Sequence, residues 1–164
     1  SDRRRLDHRE DILRYRTPPL SAPVEVVGYA EVVLHVSSTA PDTDFFARLV
    51  DEAPDGPALE VCYGMLRVRY RHGVNREQLL TPGEVVELRL RLGPTAIWFA
   101  PGHRIRLEIT SSDFPNHDRN HNTGGDDLAE TRMQSAEQRV HHGPGRPSRL
   151  VLPLAAAADA APSI

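Results

Sequence analysis

The densest run of chemically capable side chains is Asn116-His117-Asp118-Arg119-Asn120-His121-Asn122. Two histidines four residues apart can ligate a metal when a helix aligns them and a third ligand stands within reach. Asn and Gly around them disfavour a helix, and no third ligand has a defined place. A hydrogen-bonded loop is the simpler account, because Asp and Asn side chains satisfy loop backbone groups. Asp118, Arg119, Asn120 and Asn122 are the residues expected to hold it, with Asp118 as its anchor through hydrogen bonds to its own backbone. Asp42 and Asp44 have the two-residue spacing of a calcium loop, but no D-x-D-x-D-G series or distal Glu completes a site. Capping of a turn and a strand start is the expectation there. His141-His142 has no spacing that sets a metal geometry. Acyl transfer by an α/β-type serine hydrolase needs its nucleophile on a G-x-S-x-G elbow. No serine of this chain sits in one. Ser37-Ser38 and Ser111-Ser112 fall at strand ends, where hydroxyls cap turns. No catalytic residue, cofactor site or metal site is therefore expected.

The elements that position these residues read as short strands. Ile105, Leu107 and Ile109 alternate with Arg104, Arg106 and Glu108, after a Pro101-Gly102 turn. Val86, Leu88, Leu90 and Leu92 alternate with Glu87, Arg89 and Arg91. Further strands are expected over 12–16, over 24–36 with Gly28 as a bend or bulge, and over 44–51 and 58–70. A short apolar strand over 96–99, behind Gly93-Pro94, and closing strands over 139–142 and 148–154 complete the set. Residues 126–138 could form one short helix. Period-two alternation with Gly/Pro punctuation implies an all-β fold, an antiparallel two-sheet jelly-roll sandwich. Charged faces opposite apolar ones imply sheets wetted on their outer sides. Residues 1–10 read as a charged linker or weakly ordered lead-in, 11–154 as the domain and 155–164 as a low-complexity, disordered tail.

Composition narrows the function classes. At 164 residues the chain makes one domain with a core that needs no disulfide or metal. Cys62 stands alone and reads as a buried, inert thiol. All 20 basic residues are arginine, yet the net charge is −3, which argues against a nucleic-acid surface. No apolar run approaches the ~18 residues of a membrane span. Ser1 to Ile12 has no apolar signal core, which in a domain cut from a longer chain says nothing of compartment; the cytoplasm is the default.

Five separated motifs, in order, resemble the C-terminal domain of the X-prolyl dipeptidyl peptidase and cocaine esterase (CocE/NonD) family of α/β-hydrolase serine hydrolases. Asp11-Ile12-Leu13-Arg14-Tyr15 with Pro19-Leu20 looks like its first strand, and Val36–Phe45 followed by Arg48-Leu49-Val50-Asp51 like its V-S-S-x-A-P-D-T-D-F…K/R-L-V-D signature. Gly64–Arg71 is similar to its G-x-L-R-x-R-Y-R strand. Pro101–Leu107 and Ser111–Gly124 resemble its P-G-H-R-I-R-L strand and S-S-x-F-P-x-x-D-R-N-x-N-T-G loop. His142-Gly143-Pro144 with Pro147-Ser148 matches its ending.

That resemblance implies a jelly roll related to galactose-binding domains, docked on an α/β-hydrolase domain that holds Ser, Asp and His. None of those three has a matching position here, so no catalytic role carries over. The parent enzyme is expected to cleave prolyl dipeptides or carboxylic esters. This chain is expected to stabilise the absent catalytic domain and to shape its cleft. The alternative is a stand-alone binding module for a glycan or peptide, although an aromatic content of 5% gives such a module few platforms. A partner domain would leave an apolar surface when absent, expected at Ile97, Trp98, Phe99 and Phe114, through which the isolated chain could pair as a homodimer.

Overall fold

The computed structural model describes residues 1–155. Alternation becomes eight strands: β1 (Leu13–Arg16), β2 (Val24–Ser38), β3 (Asp44–Glu52), β4 (Ala58–Arg67), β5 (Val86–Phe99), β6 (Arg104–Thr110), β7 (Gln138–His141) and β8 (Arg149–Val151). They form two antiparallel sheets. One has the order β1-β6-β3-β4; in the other β2 is central, with β5 along one edge and β7 then β8 along the opposite edge. Between the sheets lie Val32, Leu34 and Val36 of β2, Phe45 and Leu49 of β3, Leu88, Leu90 and Leu92 of β5, and Ile105, Leu107 and Ile109 of β6. The expected all-β sandwich is what these residues build.

The two long sides of the sandwich differ. On one, Gly64 of β4 lies so close to the Arg91 carbonyl of β5 that any Cβ would overlap it. On the other, between β1 and the β7–β8 edge, the sheets stand apart. A cavity of about 290 Å³ opens there, walled by Leu34, Ile105, Leu107, Val140 and Leu150. The Tyr15 hydroxyl and His142 Nε2, 3.1 Å apart, tie its rim.

Several local expectations are corrected. β5 runs unbroken through Gly93-Pro94, because it is an edge strand with a bulge against Tyr29–Glu31, where a missing N–H is tolerated. β4 stops at Arg67 rather than Tyr70. The Arg69 backbone N–H and Nε instead donate to Asp42 at 3.0 and 2.8 Å, and Val68–Tyr70 winds into a 3₁₀ turn. No helix forms over 126–138. A single turn at Asp126–Glu130 is followed by extended chain whose backbone is bound elsewhere: Gln134 N–H to the His121 carbonyl, Glu137 N–H to Thr39 Oγ1.

Arg3–Leu6 is a 3₁₀ turn packed on the outer face of β4 and β6, with Arg3 buried against Glu108. Of the tail expected over 155–164, residues 156–164 lie outside the described residues.

Candidate functional site

The first sheet's outer face, predicted to be wetted, is largely covered by the chain itself. Arg106 and Glu108 are fully buried on it. Arg106 is paired with Glu108, Asp7 and Glu52, and Glu108 is also gripped by Arg3 at 2.8 Å. The covering segments are residues 1–10 and the loop after β6. That loop lays Asp113 onto buried Arg48 and stacks His117 edge-on to Phe46 and Tyr63, with ring centroids 5.1 and 5.9 Å away. Burial pushes the Asp113 carboxyl up, but the Arg48 guanidinium, with Asn116 and His117, outweighs it and holds the group below its ordinary value. Glu52 is likewise held low, where bonds from Arg16 and Arg106 outweigh burial.

The polar loop closes on a second charged cluster. Asn120 is buried, and its Nδ2 donates to Asp42 Oδ2 at 2.8 Å and Asp44 Oδ1 at 2.9 Å. Its side-chain Oδ1 accepts from the Asn122 N–H at 2.8 Å. Asp42 and Asp44, fully buried, are in turn paired with Arg69 and Arg67. These two arginines reach across to Gly125 and Asp127. Asp42 and Asp44 thus meet guanidinium and amide donors, the surroundings of a buried ion-pair cluster.

The four predicted loop residues divide. Asn120 sits at the heart of the cluster, and Asn122 donates to the Gln134 carbonyl at 2.9 Å. Asp118 is exposed and not the anchor, since its side chain makes no hydrogen bond among the described residues. Arg119 is exposed, its guanidinium 4.7 Å from the centre of the Phe114 ring. His117 and His121 do not converge on a metal site: among the described residues no group of three or more His, Cys, Asp or Glu side chains could hold an ion.

The predicted apolar surface also divides. In the β2–β5 register Val24 faces Phe99 and Val26 faces Ile97, so both side chains turn into the core, and Phe99 is fully buried. Trp98, paired with Glu25, points outward and is 58% exposed. Phe114 is 59% exposed but follows β6, in the other sheet. Sequence reading missed Val27 and Tyr29, which join Trp98 on the outer face of β2 and β5. Their signal was the outward half of the alternation in β2. Catalytic geometry is absent too. Ser37 Oγ stands 2.9 Å from His141 Nε2, yet Ser37 is buried and no carboxylate among the described residues bonds to His141.

The fold and its buried ion-paired clusters therefore define an antiparallel β-sandwich domain. The chain belongs to the family of X-Pro dipeptidyl-peptidase C-terminal non-catalytic domains, which it matches over residues 2–151. Cocaine esterase from Rhodococcus sp. (strain MB1 Bresler) is 45% identical over 156 residues, spanning 94% of this chain and 27% of that protein. Among solved structures, an alpha-amino acid ester hydrolase superposes with a TM-score of 0.88 at 32% identity, over 94% of this chain and 27% of the other. An aminopeptidase from a marine sediment Thaumarchaeota archaeon superposes with 0.90 at 28% identity, over 95% and 28%. The chain spans about a quarter of the length of each of these relatives.

Proposed function

We propose that these residues are the C-terminal domain of a larger serine hydrolase, and that they stabilise its α/β-hydrolase domain and help shape the substrate cleft. Coverage carries the reading. Nearly all of this chain matches hydrolases, yet it spans only 27% of cocaine esterase, and its sequence has no G-x-S-x-G elbow. Ester cleavage is favoured over release of X-Pro dipeptides. The relative at 45% identity is named an esterase and the solved relative at 32% an amino acid ester hydrolase, against 28% for the aminopeptidase.

The test uses the full polypeptide that the gene encodes. It should turn over p-nitrophenyl acetate faster than glycyl-prolyl p-nitroanilide, and deleting residues 1–155 should shorten the half-life of that activity. Turnover of the prolyl substrate alone would replace the ester reading. Absence of any phosphonate-sensitive hydrolysis would remove the hydrolase reading altogether.

A further inference from the structure

We infer that the hydrolase domain docks on the outer face of the β5–β2–β8 sheet, anchored by Trp98 and Tyr29, and that it presents a cation to Glu25; this rests on the function proposed above. The two sheets treat their outer faces differently. The β1-β6-β3-β4 sheet covers its own: Phe46, Val50, Arg106 and Glu108 are buried there beneath residues 1–10 and the loop after β6. On the other sheet, Trp98, Tyr29, Val27 and Val151 keep between 44% and 58% of their surface exposed. The register places them side by side, since Glu25 pairs with Trp98, Val27 with Ala96, and Glu31 with Val151.

The composition is that of an interface core. Trp, Tyr and Arg are the side chains that most often carry binding energy. Here the Arg91 guanidinium lies 3.6 Å over the Tyr29 ring, which fixes both before any partner arrives. Charge defines the partner further. Arg89 neutralises Glu87 at 2.8 Å and Glu31 at 3.7 Å. Glu25, beside Trp98, has no cation within ion-pair distance among the described residues. An apolar patch edged by an Arg or Lys fits this face, and roughly three quarters of each matched relative lies outside the aligned region and can supply it.

Thiol labelling in the full polypeptide tests this, because buried Cys62, whose thiol burial and Glu60 push up to about 11, stays silent. Trp98→Cys and Val27→Cys, both at exposed positions, are treated with a maleimide, with Phe114→Cys as the control. Modification is counted by mass spectrometry on the peptide that carries each introduced thiol.

Positions 98 and 27 should be labelled at least tenfold more slowly in the full polypeptide than in the 164-residue chain, and position 114 at the same rate in both. Equal rates at 98 and 27, with the full polypeptide active on esters, would overturn the docking face and leave the proposed function standing. Protection at 114 alone would move the interface to the loop after β6. Protection at 98 in the isolated chain that grows with its concentration would make the occupant a second copy, which also overturns the inference. An inactive polypeptide with 98 unprotected would sink both readings.

Discussion

Arginine is the only cation of this chain, and the structure uses the geometry that distinguishes it from lysine. Its planar fork reaches two or three acceptors at once. Arg67 takes both oxygens of Asp44 at 2.8 and 2.9 Å and reaches Asp127 as well, which holds the guanidinium strongly in its charged form. Asn120 completes that cluster where sequence reading favoured Asp118. Asn120→Ala would leave Asp42 and Asp44 each short of a buried donor, and should cost about 1–3 kcal/mol in urea unfolding. Asp118→Ala should stay within about 0.5 kcal/mol, as befits an exposed side chain without a partner. Equal losses at the two positions would refute the assignment.

Other arginine-paired carboxylates set the acid limit of stability. Asp113, Glu52 and Asp7 are each held below their ordinary values. A carboxylate whose folded value is depressed adds stability above its unfolded value and loses it as pH falls through the folded one. Unfolding free energy should therefore be flat on the alkaline side of about 4.5, the ordinary value of a glutamate, and decline below it. Arg48→Met should flatten the part of that decline due to Asp113. An acid limb unchanged in the variant would show that Asp113 draws nothing from Arg48.

At the scale of elements, the strands that alternate cleanly were legible, and those whose partners decide the outcome were not. Leu88, Leu90 and Leu92 against Arg89 and Arg91 announced β5, and Ile105, Leu107 and Ile109 announced β6. The charged half of β6 was read as wet, since alternation separates two faces without saying what covers the second. Asp7, Arg3 and Glu52, which cover Arg106 and Glu108, lie far away in sequence. A similar blindness explains the missing helix. Asp126 to Gln138 has helix-forming residues, but Thr39 and His121 claim its backbone and Leu128 is left 98% exposed with no face to pack on. The candidate site was half legible: Trp98 and Phe114 were identified as exposed, while Ile97 and Phe99 needed the register to be turned inward. Gly64 was visible as part of a motif, but only the approach of β4 to β5 explains it. Gly64→Ala should destabilise the domain by about 1–3 kcal/mol through forced displacement of the Arg91 carbonyl. A neutral result in thermal unfolding would mean that the two strands separate freely.

As a whole molecule the isolated chain should hydrolyse neither esters nor amides. Ser37 and His141 touch, but among the described residues no carboxylate orients the pair, and Ser37 is buried. Turnover of p-nitrophenyl acetate that survives repurification and is abolished by a serine-directed phosphonate would contradict this.

The unequal sides of the sandwich bear on how it moves. Where Gly64 meets Arg91 the two layers approach backbone to backbone, whereas at the far side the gap is spanned by side chains, Tyr15 with His142 and Gln138 with Thr43. Such a body is expected to open like a clamshell, with its hinge at β4 and β5 and its lips at β1 and β8. Amide protons should register that gradient: those of β1 and β8 should exchange with solvent through local opening, and those of β3 and central β2 only on global unfolding. Tyr15→Phe, which cuts the Tyr15–His142 bond at the lips, should speed exchange in β1 and β8 selectively. Uniform acceleration across all eight strands would mean that the layers part together.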